Sequence, residues 1–327
     1  MCGIAGIIYR ESGAHLPENG AHRLGADMTR MLQSMKHRGP DSTGYALYRR
    51  PRRRRFPARL NGSDMIMRIK LADGDAHGDI EYADRLRRRR REVQARLRAA
   101  GARVSLIEDI NEYTIAATLD YDGELKRVAD YIESVPGAEV LSAGSALEII
   151  KDLGDAQTVS QAYKLDGYIG THGIGHVRMA TESDVDISNA HPYWAYPFSD
   201  VAVVHNGQLT NYHQWRRRLE RLGHRFASDC DSEIIAVYLA QRMQDGATLE
   251  EAMRRSLKDL DGVFTYICVS DDALGMAKDE LAAKPLVLYE GDDMVVLASE
   301  EMAIRAVIDR EIETYDPYES QVMVWTR

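Results

Sequence analysis

The spacing of apolar residues predicts a chain that begins and ends in β-strands and carries long helices between them. The first apolar run, CGIAGIIY, predicts a short strand. Leu24, Met28, Met31, Leu32 and Met35 then recur at the spacing of one helical face. Further helices are predicted over 210–222 (with Trp215, Leu219 and Leu222 facing inward), 231–243 and 249–260. A succession of strands follows, so the pattern favours an α+β protein over a parallel doubly wound sheet.

The middle of the chain carries a second pattern. Residues 65–71, 104–106 and 113–119 alternate as strands do, while 82–97 and 125–132 have helical spacing, and AEVLSAG adds a fourth strand. This β-α-β-β-α-β order is that of a ferredoxin-like unit, predicted over about 64–143. Its predicted core residues are Met67, Ile69, Leu86, Val93, Ile115, Val128 and Ile132. The alternative is an irregular surface excursion.

Charge divides the chain in the same place. Residues 49–103 hold 18 Lys/Arg and 7 Asp/Glu, whereas the whole chain has a net charge of −9. Such asymmetry indicates a separate module. Arginine stripes can bind phosphates, but no stacking aromatic residues interrupt these runs. We therefore expect residues 87–91 to lie on a solvated helix face, free to meet an acidic partner, and consider nucleic-acid binding the weaker interpretation.

Composition narrows the class of protein. A hydrophobic fraction of 44% and a charged fraction of 28% are typical of a globular protein. No apolar run is long enough to span a bilayer, and no secretory signal is recognisable. The cysteines, Cys2, Cys230 and Cys268, lack metal-ligand spacing. We expect a cytoplasmic protein with free thiols and no metal.

Cys2 is the first candidate for chemistry. Removal of Met1 would leave a thiol and an α-amine on one residue, and an α-amine has a pKa near 8. It can therefore accept the proton of its own side chain, so that one residue supplies both nucleophile and base. The alternative is that Cys2 is a small buried residue of an edge strand.

Three polar residues could complete a site around this thiol. Asn206 and the amide of Gly207, in VVHNG, offer donors to a developing oxyanion, although Asn-Gly is also typical of hairpin turns. Arg178 has a forked donor suited to a carboxylate, although a lone arginine is more often in a surface ion pair. Asp231 offers a carboxylate, or a cap for the helix after it. With Cys2, these residues describe a site for an amino acid.

Seven motifs in register resemble the class II glutamine amidotransferases, a family of N-terminal nucleophile (Ntn) hydrolases. They are MCGIAG at the start, KHRGPDSTG at 36–44, GHVRMAT at 175–181, NAHP at 189–192, VVHNG at 203–207, DCDSE at 229–233 and KDELAAKPL at 278–286. The resemblance covers roughly 1–48 and 166–327. It implies an αββα sandwich of two antiparallel sheets. We expect the ferredoxin-like unit to be inserted between two strands of this core.

The resemblance also implies roles for individual residues. Cys2 would be the nucleophile, and Asn206 with the Gly207 amide the oxyanion hole. Arg178, helped by Thr181, would bind the α-carboxylate of glutamine, and Asp231 its α-ammonium. Two positions depart from related branches. Glu182 stands where aminosugar-forming relatives have histidine, and Ala282 where many relatives have glycine.

We therefore expect an amidotransferase domain over 2–48 and 166–327 and an insertion over 49–165. The phrases SALEIIKDLGDA and THGIGHVRMATESDVDISNAHP resemble the stand-alone amidotransferase subunit of split glutamate synthases and N-methylglutamate synthases. That branch implies synthase partner subunits, with FMN and iron–sulfur clusters held there and no cofactor in this chain. A stand-alone hydrolase of γ-glutamyl amides would use the same residues.

Overall fold

The computed structural model describes residues 2–10, 23–49, 63–71, 81–121, 123–179, 190–195 and 200–327. It divides the chain into two compact units. The core unit is Met1–Arg50 with Ile150–Arg327, and the inserted unit is Pro51–Ile149. The predicted insertion ends at 165, whereas the structure assigns 150–165 to the core unit. The arginine-rich start of the predicted insertion, residues 50–62, lies outside the described residues.

Helices and strands are distributed along both halves of the chain. The first half contains β1 (Gly3–Tyr9), α1 (Leu24–Ser34), a 3-10 turn (Lys36–Arg38), β2 (Ser42–Tyr48), β3 (Ser63–Lys70), α2 (Tyr82–Ala99), β4 (Arg103–Asp109), β5 (Thr114–Tyr121), α3 (Leu125–Glu133), β6 (Glu139–Gly144), β7 (Leu147–Leu153) and α4 (Ala156–Tyr163). The second half contains a 3-10 turn (Leu165–Gly167), β8 (His172–Arg178), β9 (Tyr193–Trp194), β10 (Ala202–Leu209), α5 (Tyr212–Arg221), α6 (Asp231–Gln244), α7 (Leu249–Asp259), β11 (Gly262–Val269), β12 (Ala273–Lys278), β13 (Val287–Glu290), β14 (Met294–Ala298), α8 (Glu301–Arg305) and β15 (Val322–Thr326).

Two sheets form the centre of the core unit. One has the strand order β13-β14-β1-β8-β2-β7 and the other β15-β12-β11-β10-β9, and the ladders beside β1 and β10 are antiparallel. The sheets face each other: the Tyr48 hydroxyl donates to the carbonyl of Asp200 at 2.6 Å, and His172 Nε2 lies 2.7 Å from the carbonyl of Ser270. With α1 against the first sheet and α6 against the second, this is the antiparallel αββα sandwich that the resemblance implies.

The predicted face of α1 is buried throughout, since Leu24, Met28, Met31, Leu32 and Met35 are fully covered. On the other sheet, α5, α6 and α7 pack through a cluster that includes Val203, Trp215 and Ile235. One inward prediction is wrong, because Leu222 is 60% exposed. Helix α5 ends at Arg221 and Gly223 turns the chain away, so Leu222 lies beyond the packed face that its spacing suggests.

The inserted unit has the predicted β-α-β-β-α-β order. Its four strands pair in the order β4-β5-β3-β6 through antiparallel ladders. All seven residues predicted for its core are buried, and the helices α2 and α3 contact each other. The irregular alternative is therefore wrong, since period-two strands and period-3.6 helices bury their apolar faces together only in such a layered arrangement.

The arginine run of α2 is only partly solvated. Arg87, Arg88 and Arg91 are exposed, as predicted. Arg89, in contrast, donates to the carbonyl of Leu71 at 2.9 Å, and Arg90 pairs with Asp109 at 3.0 Å. The reason is helix periodicity, because five consecutive residues cover more than one turn and cannot all lie on one face.

Among the helices in the described ranges, none is both long and apolar enough to cross a bilayer.

Candidate active site

Cys2 lies immediately before β1, a strand flanked by β14 on one side and β8 on the other. The residue is partly exposed. The interpretation of Cys2 as a buried residue of an edge strand is therefore wrong in both respects. Cys2 thus lies at the start of an interior strand and is partly accessible to solvent.

The backbone carbonyl of Cys2 accepts two hydrogen bonds from distant parts of the chain. Arg38 Nε donates to it at 3.1 Å and Asn206 Nδ2 donates at 3.2 Å. Asn206 belongs to β10 of the opposite sheet, so the two sheets meet at this oxygen. A side-chain amide has two N–H donors, so Asn206 can donate to a second acceptor beside Cys2 as well.

The Asn206-Gly207 pair lies inside a strand and not at a hairpin turn. Asn206 pairs with Thr265 and Gly207 with Phe264, and β10 continues to Leu209. Gly207 has φ +144°, and a Cβ there would be 2.1 Å from the carbonyl oxygen of Val263. Only glycine permits this backbone conformation and this close approach of β11. The turn alternative is therefore wrong.

Arg178 ends β8, the strand beside β1. The ladder places Val177 opposite Gly3 and Arg178 opposite Ser42. The backbone of Arg178 is held further by Asp41, whose N–H donates to its carbonyl at 3.1 Å. The half-buried arginine thus lies at the same end of the sheet as Cys2. Thr181 and Glu182 lie outside the described residues.

Asp231 is the first residue of α6, and the N-cap position before it is occupied by Cys230. The Asp231 carboxylate instead accepts the N–H of Leu209 at 2.7 Å through Oδ2. Leu209 ends β10, two residues beyond Gly207. This hydrogen bond ties the start of α6 to the strand that carries Asn206, so Asp231 holds a defined place near the site and does not act as the N-cap.

Comparison with known proteins agrees with this geometry. The family pattern of the glutamine amidotransferase domain matches residues 176–306. A protein of Methanothermobacter thermautotrophicus assigned to the glutamine amidotransferases is 37% identical over 325 residues, covering 98% of this chain and 99% of that protein. The chain belongs to the class II glutamine amidotransferases. It is therefore an enzyme with glutamine amidotransferase activity.

Two further similarities define the relationship. A glutamine amidotransferase-like protein of Rhizobium meliloti is 32% identical over 326 residues and is covered to 98%. The glutamine phosphoribosylpyrophosphate amidotransferase of B. subtilis, solved with ADP and GMP, superposes with a TM-score of 0.57 at 18% identity. That alignment covers 99% of this chain and 47% of that one, so the amidotransferase spans about half of the B. subtilis enzyme. At this identity the likeness concerns the Ntn fold alone.

Glu233 is a residue of the amidotransferase that sequence analysis left without a role. Its buried carboxylate accepts the N–H of Ala227 at 2.8 Å and of Ser228 at 2.9 Å, together with the Ser228 hydroxyl at 2.8 Å. Burial raises the pKa of Glu233, although these hydrogen bonds oppose the shift. The carboxylate therefore organises the loop that leads into Asp231. In the sequence, the position of Glu233 two residues after Asp231 in the DCDSE motif could have indicated this role.

Three histidines form a second unforeseen group behind the site. The rings of His176 and His191 stack at 4.0 Å between centroids, and His205 lies 6.5 Å from His191. His205 Nδ1 is 2.7 Å from the hydroxyl of Ser232, beside Asp231. All three are buried, and burial lowers the pKa of each, that of His176 to about 3. The rings are therefore neutral at physiological pH.

These buried histidines make the amidotransferase sensitive to acid. Burial also lowers the pKa of His172 to about 4, whereas an unfolded chain binds that proton near pH 6.5. Protons therefore favour unfolding, and stability present above pH 6.5 is lost as the pH falls toward 4. His172 alone contributes on the order of 3 kcal/mol to this loss. We expect the urea midpoint to fall steeply between pH 7 and pH 5.

His172→Asn removes one of the titrating groups and should flatten that pH dependence by about one proton. His213→Asn, at an exposed histidine, is the matched control. If the urea midpoint depended on pH equally steeply in both variants, the assignment of the acid sensitivity to the buried rings would be wrong.

Proposed function

We propose that the enzyme hydrolyses glutamine at Cys2 and passes the ammonia to a partner synthase subunit of the glutamate-synthase type. The α-amine of Cys2 takes the thiol proton, and the sulfur attacks the side-chain amide carbon of glutamine. The resulting oxyanion receives hydrogen bonds from Asn206 Nδ2 and the Gly207 amide. Collapse of this intermediate breaks the C–N bond, and the amine returns its proton to the departing ammonia.

The second half of the reaction consumes one water molecule. The intermediate is a thioester between Cys2 and the glutamyl group. Water attacks the thioester carbonyl at the same oxyanion donors, glutamate leaves, and the thiol is regenerated. The observation that carries the proposal is the hydrogen bond from Asn206 Nδ2 to the Cys2 carbonyl. It brings an amide donor from one sheet next to the nucleophilic residue of the other.

Glutamine would be selected by its charged end. Arg178 would pair with the α-carboxylate through its forked donors, helped by Thr181. Asp231 would accept the α-ammonium, and its hydrogen bond from Leu209 orients the carboxylate for this role. A site with both partners favours free glutamine over γ-glutamyl compounds that lack a free amino-acid end.

The ammonia acceptor is the finer part of the proposal. Its support is the resemblance of SALEIIKDLGDA and THGIGHVRMATESDVDISNAHP to the stand-alone amidotransferase subunits described above. We expect FMN and iron–sulfur chemistry in the partner subunits and none in this chain.

The test measures glutamate release from glutamine by the purified protein, with and without a flavin-containing glutamate synthase subunit. Glutamine labelled with ¹⁵N in its amide group shows whether the nitrogen reaches the product of the partner. We expect stimulated hydrolysis and labelled product. Unstimulated hydrolysis, with γ-glutamyl anilides cleaved as fast as glutamine, would instead support a stand-alone γ-glutamyl amide hydrolase.

A further inference from the structure

The motif KHRGPDSTG has no role in the chemistry described so far. The structure places its first three residues in the one-turn 3-10 helix Lys36–Arg38, directly after α1, and ends this turn at Gly39. A Cβ on Gly39 would lie 2.2 Å from the carbonyl carbon of Arg178. The turn therefore packs against the backbone of Arg178 at a distance that only glycine allows.

Arg38 reaches from this turn to Cys2. Its Nε donates to the Cys2 carbonyl at 3.1 Å, and its Nη1 pairs with Glu300 Oε1 at 2.6 Å. The side chain is 10% exposed, and Nη2 is buried with no hydrogen-bond partner among the described residues. The guanidinium is thus a rigid bridge between the backbone of Cys2 and a carboxylate 262 residues beyond Arg38.

Glu300 is well placed to hold that bridge. Ser299, the residue before it, donates its N–H to the Ile4 carbonyl at 2.9 Å and accepts the Ile4 N–H through its hydroxyl at 3.0 Å. Burial raises the pKa of Glu300, but hydrogen bonds from Arg38 and His37 outweigh it and leave the pKa below its ordinary value. The carboxylate is therefore ionised at neutral pH. Ser299 is hydrogen-bonded to Ile4 in β1, while Glu300 pairs with Arg38.

We propose that Arg38, held by Glu300, is a positioning residue that fixes Cys2 for attack on glutamine. The inference deepens the proposed function and rests on it. Once Met1 is removed, Cys2 is joined to the chain only through its peptide bond to Gly3. A tilt of this peptide plane would displace the Cα of Cys2 and, with it, the thiol and the amine. Hydrogen bonds from Arg38 and Asn206 to the carbonyl oxygen hold the plane in place.

Arginine suits this task and lysine does not. The planar guanidinium presents several donors in a fixed fork, so it can hold the Cys2 carbonyl and the Glu300 carboxylate at one fixed angle. An ammonium group is a point charge on a flexible stem and fixes no such angle. Because Gly39 also seats the turn against Arg178, one turn aligns the nucleophile with the residue proposed to bind the substrate carboxylate.

The experiment compares steady-state glutamine hydrolysis by the full chain and four variants. We expect Arg38→Ala to lower kcat about 10²-fold with KM for glutamine unchanged, because a displaced nucleophile costs rate and not substrate affinity. Arg38→Lys should recover little of this loss. Glu300→Gln, which keeps the shape but removes the charge, should lower kcat about tenfold. Lys36→Gln, in the same turn, is the matched control and should leave kcat unchanged, because the Lys36 side chain is half exposed and pairs with Asp155, which has no part in the proposed bridge.

Two further measurements separate positioning from a general loss of structure. Added guanidinium ion, well below denaturing concentration, should restore part of the kcat of Arg38→Ala, whereas methylammonium should not. In a double variant that combines Arg38→Ala with Glu300→Gln, kcat should be no lower than in Arg38→Ala alone, because Glu300 acts through Arg38. Losses that multiply, a raised KM, or no response to guanidinium would overturn the proposal.

Further variants distinguish a folding defect from a failure of the positioning role or of the proposed function. Should Arg38→Ala fail to fold, the Glu300→Gln and Arg38→Lys variants decide the question, since both retain a long polar side chain. Full kcat in both of them would then overturn the proposal. If Cys2→Ala retained glutaminase activity, the proposed function itself would fail. A dead Cys2→Ala variant together with a fully active Arg38→Ala variant would overturn the positioning role alone.

Discussion

Cys2→Ala is expected to abolish glutamine hydrolysis, because it removes the proposed nucleophile while leaving the fold intact. A smaller side chain at this partly exposed position costs little packing. Glutamate release measured by a coupled assay should fall to the background rate. Mass spectrometry of the active protein should also find that the chain begins at Cys2, since the amine serves as base only when Met1 is removed.

A diazo-ketone analogue of glutamine provides the positive control for this variant. It should label the wild-type chain once, at Cys2. Burial raises the pKa of both Cys230 and Cys268, so neither thiol competes as a thiolate. Labelling at another cysteine, or full activity in a chain that retains Met1, would contradict the mechanism.

Asn206→Ala is expected to lower kcat by roughly 10²–10³, the usual cost of one oxyanion donor. The same change removes a hydrogen bond to the Cys2 carbonyl, so we expect part of the loss to come from a less firmly held Cys2. Steady-state kinetics with glutamine provides the measurement. Gln208→Ala is the matched control, because Gln208 lies on the same strand with an exposed side chain.

Arg178→Lys is expected to change KM for glutamine, whereas Asn206→Ala is expected to change kcat. Lysine cannot form the forked pair with a carboxylate, so the loss should appear mainly as an increased KM for glutamine. If Arg178→Lys left KM unchanged, Arg178 would not bind the α-carboxylate. If Asn206→Ala raised KM and kept kcat, the assignment of Asn206 to the oxyanion would have to be abandoned.

Much of the fold was readable in the sequence because it depends on local periodicity. The apolar face of α1 and the layered inserted unit follow from spacings of 3.6 and 2 residues, and the buried residues agree. The strand β7 and helix α4 were missed. Strand β7 carries Glu148, Lys151 and Asp152, which are all buried, and three charged residues in seven argue against a core strand. Partners such as the Tyr163 hydroxyl, 3.0 Å from Asp152, make that burial possible.

The candidate site likewise has features that the sequence predicts and features that depend on the tertiary structure. The sequence by itself determined the residue types: a cysteine behind the initiator methionine, an Asn-Gly pair after an apolar run, and an aspartate at the start of a helix. Only the tertiary structure decided that Asn-Gly lies within a strand, because the pairing with β11 excludes a turn. It also decided that Arg38 and Asn206 meet at the Cys2 carbonyl, and that Arg38 pairs with Glu300 across 262 residues. Periodicity reports which face of an element is apolar, whereas contacts at this separation depend on strand register and on how two sheets pack, and no local pattern encodes either.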